Sequence, residues 1–237
     1  MKRRVAALAM AAVMCIGATG CKKKKKPKCE NFDLAEAAQL MEAEKFSEIS
    51  LLSPTLKRIQ EDVMKRKEGE TKAIYNTLDS STFNDFLEVY PNATGISNVK
   101  LDDVENYTYL FSIQNGGSRC LKHLVGMCYV FKTEEAAQAF FDAYRPSTEE
   151  MFEYYEIQGK SGGSMEGGKV KERDDGLQYR CYTLGGKDVM LRFEEGTYKK
   201  GKVVLDIYEL VALYNGESMQ INEYCDMLGL PRPGDEA

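Results

Sequence analysis

The chain of 237 residues carries 32 basic and 37 acidic side chains, unevenly spread: Met1 to Lys28 holds nine basic and no acidic residues, leaving 23 basic against 37 acidic from Cys29 onward. A globular part this acidic argues against a nucleic-acid partner, because phosphates are held by clustered Lys and Arg. The single histidine, His123, excludes two-histidine metal sites and H-E-x-x-H hydrolases.

Lys2, Arg3 and Arg4 open the sequence, and Val5 to Ala18 follows without a charge. A membrane-spanning helix needs about 20 apolar residues; this run has the length of a signal-peptide core. It closes on Ala18-Thr19-Gly20-Cys21. Ala18 and Gly20 by themselves meet the small-residue demand of an ordinary signal peptidase, which would give plain secretion. Cys21 directly after the scissile bond is more specific, and the segment resembles the lipobox of bacterial lipoproteins, with Ala18 where that family prefers Leu. Cys15 is a poorer candidate, since Met14 is bulky for the position before cleavage.

The resemblance covers the leader alone. It implies a signal peptide over 1–20, a lipidated Cys21, export, and anchoring to the outer face of a bacterial membrane. Two or three acyl chains, at about 0.8 kcal/mol per buried CH₂, hold such an anchor without a transmembrane helix. Residues 21–29, with Lys22 to Lys26, Pro27 and Lys28, then read as a tether. Beside anionic lipid each lysine would add about 1 kcal/mol; otherwise the run is a solvated spacer. No later segment is apolar and long enough to span a bilayer.

Beyond the leader and Cys21 stand Cys29, Cys120, Cys128, Cys181 and Cys225. An odd number leaves at least one thiol unpaired, and their apolar surroundings predict mostly buried free thiols.

Asn31 to Lys67 has a helical period. Leu34, Ala38, Met41 and Lys45 share a stripe; after Ser53-Pro54, read as cap and first helical position, Leu56, Ile59, Val63 and Met64 share another. The pair predicts a helical hairpin against the domain. Thr71 to Leu78 is read as a further helical turn or two. Ser81 or Thr82 caps a helix bearing Phe83, Phe86, Leu87 and Tyr90, ended by Pro91 and a turn at Asn92 to Gly95.

The period then changes to two. Tyr107, Tyr109, Phe111 and Ile113 alternate with smaller or polar residues, and Leu124 to Lys132 reads as the returning strand. Thr133 caps a helix with Glu134 and Glu135 in its first turn and a predicted face of Ala136, Ala139, Phe140 and Ala143. Thr148 caps a shorter one with Met151, Phe152 and Tyr155. Gly159 to Gly168 reads as a loop. Three strands follow, Leu177 to Leu184, Asp188 to Glu194 and Val203 to Leu213, with turns at Gly185-Gly186 and between Gly196 and Gly201. Glu217 to Leu228 forms the closing helix, stopped by Gly229.

The expected fold is α+β: an antiparallel sheet of about five strands packed on one face by helices, with a helical N-terminal region. A single domain spans 30–230, helical over 30–90 and sheet-containing over 98–230, with a tail at 231–237.

Few residues in the sequence carry chemistry. Gly163 to Lys169 matches G-x4-G-K, yet Val170 replaces the Ser or Thr that would bind metal, so the segment reads as a flexible loop. Cys120, His123 and Cys128 are the weak metal candidates. They lack the tight C-x2-C pairs of zinc sites, and a thiol activated by His123 needs Cys120 in a loop, since three residues along a strand turn the side chains to opposite faces. The acidic pairs Asp102-Asp103, Glu134-Glu135, Glu149-Glu150, Asp174-Asp175 and Glu194-Glu195 read as solvated surface or helix starts. No cofactor is expected. The expected function is a non-enzymatic, membrane-anchored extracytoplasmic module that binds a protein partner in the envelope, or alternatively a small ligand.

Overall fold

The computed structural model describes residues 29, 32–89, 101–117, 120–149, 152–153, 164–186, 189–212 and 218–237. The leader, Cys21, the lysine tether, the turn at Asn92 to Gly95 and the first half of the Gly159 to Gly168 loop lie outside them.

Among the described residues nine strands form one sheet in the order β1-β2-β3-β4-β9-β8-β7-β5, with β6 beside β5 on the same edge of β7. They are β1 (Glu44–Lys45), β2 (Thr71–Asp79), β3 (Val104–Asn115), β4 (Leu121–Phe131), β5 (Ser164–Gly167), β6 (Lys171–Glu172), β7 (Gln178–Gly186), β8 (Val189–Lys200) and β9 (Val203–Ala212). The expected five-strand antiparallel sheet is therefore corrected to a larger, mixed one: β1 runs parallel to β2 while every other pair is antiparallel.

Helices cover both faces rather than one. On the first face lie α1 (Leu34–Leu40), α5 (Gln220–Leu228) and the short α6 (Pro233–Glu236). There Leu34, Ala37, Ile221, Tyr224 and Leu228 meet Leu124, Cys128, Tyr198, Leu205 and Ile207. On the second face lie α2 (Leu52–Val63), α3 (Ser80–Val89) and α4 (Glu134–Ala143). There Ile59, Val63, Phe83, Phe86 and Phe140 meet Tyr107, Tyr109, Met127, Tyr129 and Phe131. The two predicted N-terminal helices thus sit on opposite sides of the sheet and form no hairpin.

This double covering explains the missed strand. Ala73, Ile74, Tyr75 and Asn76 of β2 are buried in succession, so the strand lacks the polar alternation of a sheet with one wet face. Residues 30–90 are correspondingly not all helical.

Smaller corrections have local causes. α2 begins at Leu52, one residue before Ser53, with no side-chain cap; Pro54 is accommodated because first-turn N–H groups have no partner within the helix. The cap of α3 is Asp79, whose carboxylate accepts from Thr82 N at 2.8 Å. Thr133 caps α4 as expected, its hydroxyl accepting from Ala136 N, but the buried stripe is Ala137, Phe140 and Phe141, turned toward the larger rings. Ser164 to Gly167 is strand, not loop. β8 runs straight through Gly196, where the Tyr198 hydroxyl occupies the space a Cβ would need. Gly229 ends α5 with φ of 69°, in the left-handed region. The predicted tail carries α6, and Pro233 is buried.

Candidate functional site

Strand alternation decides the fate of the cysteine–histidine constellation. Cys120, Leu124 and Cys128 belong to the core under α1 and α5, while His123 looks into a groove on the opposite face. β4 therefore separates His123 from the two cysteines, and among the described residues no group of three His, Cys, Asp or Glu side chains is placed to hold a metal ion. The Cys120 thiol donates to the Ala212 carbonyl. Burial pushes the Cys128 thiol up to about 12, away from the thiolate needed of a nucleophile. None of the five described cysteines is joined to another in a disulfide.

The groove facing His123 encloses about 310 Å³. Its wall is one stripe of α2, with Ser53, Leu56, Lys57 and Gln60, positions three and four apart that share a helix face. Its floor is Phe111 and Ile113 of β3 with His123 and Val125 of β4. The register Ile113↔His123 and Phe111↔Val125 sets these four as two cross-strand pairs. Phe111, His123 and Val125 are only half-buried, so this part of the sheet stays accessible beside the helix. Desolvation holds His123 below its ordinary pKa, which makes it a neutral imidazole able to donate from one nitrogen and accept at the other.

The remaining buried polar groups serve the fold. Glu195, with no exposure, accepts from Ser147 N at 2.9 Å and Thr148 N at 2.6 Å, and also from the Thr148 hydroxyl. Those bonds pin the turn after α4 to the sheet. Asp206, equally buried, accepts from Thr197 Oγ1 at 2.9 Å. Burial raises both carboxyls, and the charge of Asp206 adds to the rise of Glu195. Arg180 lies over the Phe141 ring, 4.7 Å from its centre, and donates to the carbonyls of Phe141 and Tyr144.

On the other face, Glu209 accepts from Ile221 N at 2.8 Å and stands at the start of α5, where a carboxylate meets the positive end of the helix dipole. Gln220 links Glu209 to Ser112. With no exposure, Glu195, Asp206 and Glu209 reach no substrate. The pair Glu194-Glu195, expected as solvated surface, is thus corrected: successive strand residues face opposite sides, and both sides here are covered.

The sequence singled out His123 and missed its neighbours Lys57, Gln60, Phe111 and Val125. Lys57 read as one of the solvated positions of an amphipathic helix, and the contact pairing that helix with β3 and β4 spans some sixty residues and leaves no local signal.

No family model matches the chain and no curated protein matches it. Among solved structures, the extracellular domain of PknH from Mycobacterium tuberculosis aligns at 12% identity over 73% of this chain and 89% of that one, with a TM-score of 0.33.

Proposed function

We propose that the protein is a membrane-anchored extracytoplasmic lipoprotein whose folded part is a non-enzymatic binding module. The observation that carries this reading is the leader: a basic start, a charge-free run too short to span, and a cysteine directly after Ala18-Thr19-Gly20. Two structural facts support it. Among the described residues no helix is long and apolar enough to cross a membrane. The backbone N–H of Cys29, at the end of the tether, donates to the Met227 carbonyl at 2.9 Å, so the chain enters the fold directly after the lysine run.

The test is intact-mass analysis of protein extracted from membranes, beside a Cys21→Ser variant. The expected result is an acylated chain starting at Cys21, and a variant that leaves the membrane fraction. A mature chain beginning at an unmodified Cys21 would sink the anchor and leave a secreted protein. The groove under α2 favours a small ligand over a protein partner, because it is concave, partly apolar and edged by a few polar groups.

A further inference from the structure

We propose that the groove between α2 and strands β3 and β4 takes a small amphipathic carboxylate, its apolar body on Phe111, Ile113 and Val125 and its negative charge at Lys57. The proposal rests on the small-ligand reading of this groove and goes further by naming the chemistry of the ligand.

Charge supplies the first argument. Among the described residues the groove has no acidic side chain in its lining. Lys57 is the one charged side chain that the described residues bring to it. In a body with 23 basic and 37 acidic residues, most of the surface repels anions and this groove admits one. A cation or a zwitterion would need a carboxylate here, and the described residues of the lining offer none.

Shape and hydrogen bonding supply the second. At about 310 Å³ the groove is at the small end of ligand sites, enough for a body of one or two rings. The half-buried Phe111 and Val125 offer it an apolar bed, and a polyhydroxylated ligand would leave its hydroxyls unpaired there. Polar groups gather on one wall. Among the described residues no hydrogen bond engages the side chains of Gln60 or His123, and neither is sealed from solvent. A carboxylate at Lys57 has Gln60, one turn along the same helix, as a second donor, and neutral His123 as a third across the groove.

The probe is 2-naphthoate, followed by its own fluorescence in a protein without tryptophan. It is titrated against the full-length chain in lipid nanodiscs, with empty nanodiscs as control. Its uncharged isostere 2-naphthamide is titrated in parallel. The expected result is saturable naphthoate binding, with the amide about tenfold weaker. Lys57→Gln should bring naphthoate down to the level of the amide, and Val125→Phe, which fills the groove from the sheet and adds no tryptophan, should abolish both. Gln60→Phe fills it from the helix instead, in case Val125→Phe does not fold. Equal binding of the two probes, lost in the filling variants, would overturn the carboxylate while leaving the groove as a binding site. Binding that survives both filling variants, or no binding of either probe, would overturn the groove itself. Neither outcome bears on the anchor, which the Cys21→Ser comparison tests separately.

Discussion

At the scale of single residues the unusual feature is the set of buried carboxyls. Glu195, Asp206 and Glu209 have no exposure, and desolvation raises all three, Glu209 to about 7. In the unfolded chain such groups titrate near 4. Between about pH 4 and pH 7 the folded state therefore holds protons that the unfolded state has lost, so folding takes up protons and stability rises as pH falls through that window. His123 acts in the opposite sense below about 6.5, one group against three. The expected outcome is a melting temperature about 4 °C higher at pH 5.5 than at pH 8, from a gain of roughly 1–2 kcal/mol. A melting temperature that falls over this range would mean the carboxyls are ionised in the fold. Glu195 was not legible as a buried residue, because an acidic pair reads as surface whenever its neighbours are unknown. His123 was legible as a singular residue, and the opposed faces of Cys120 and His123 follow from strand period alone.

At the scale of elements, the legible parts were those with a local cause. β3 and β4 announce themselves by alternation, α4 by its Thr133 cap and α5 by the Gly229 stop. β2 was hidden because helices bury both of its sides, and the separation of α1 from α2 was hidden because nothing local says which face a helix chooses. The rotated stripe of α4 gives a direct check. Phe140 lies 4.8 Å from Tyr129, 5.2 Å from Phe131 and 5.3 Å from Tyr144, ring centre to ring centre, whereas Ala139 is exposed. Phe140→Ala should cost about 3–4 kcal/mol in urea unfolding through the cavity it leaves. Ala139→Ser, on the solvent side, should stay within about 0.5 kcal/mol. Comparable losses at both positions would contradict the packing of α4.

At the scale of the whole molecule the C-terminal residues close the first face. Tyr198 donates its hydroxyl to the Pro231 carbonyl at 2.6 Å, and Lys171 pairs with Glu236 at 3.0 Å. Ending the chain after Leu230 strips a buried hydroxyl of its acceptor, at about 1–3 kcal/mol. Urea titration should show the midpoint falling with an unchanged two-state transition, and an unchanged midpoint would make the last residues dispensable. The Lys171–Glu236 pair is half-buried at the surface and still meets solvent, so its own contribution is small.

The sheet order has a consequence for how such a chain is made. β4 is hydrogen-bonded on one side to β3, its neighbour in sequence, and on the other to β9, whose residues follow roughly eighty positions later, a separation that slows pairing. Until β9 is in place, β2, β3 and β4 would present an open border of backbone donors and acceptors along Lys122 to Val130, the residues that β9 pairs in the finished sheet. That border is a template for pairing with other chains until β9 arrives. The last strand thus seals the nascent molecule against its own copies, and the interval before it does so is when a holding chaperone has something to hold.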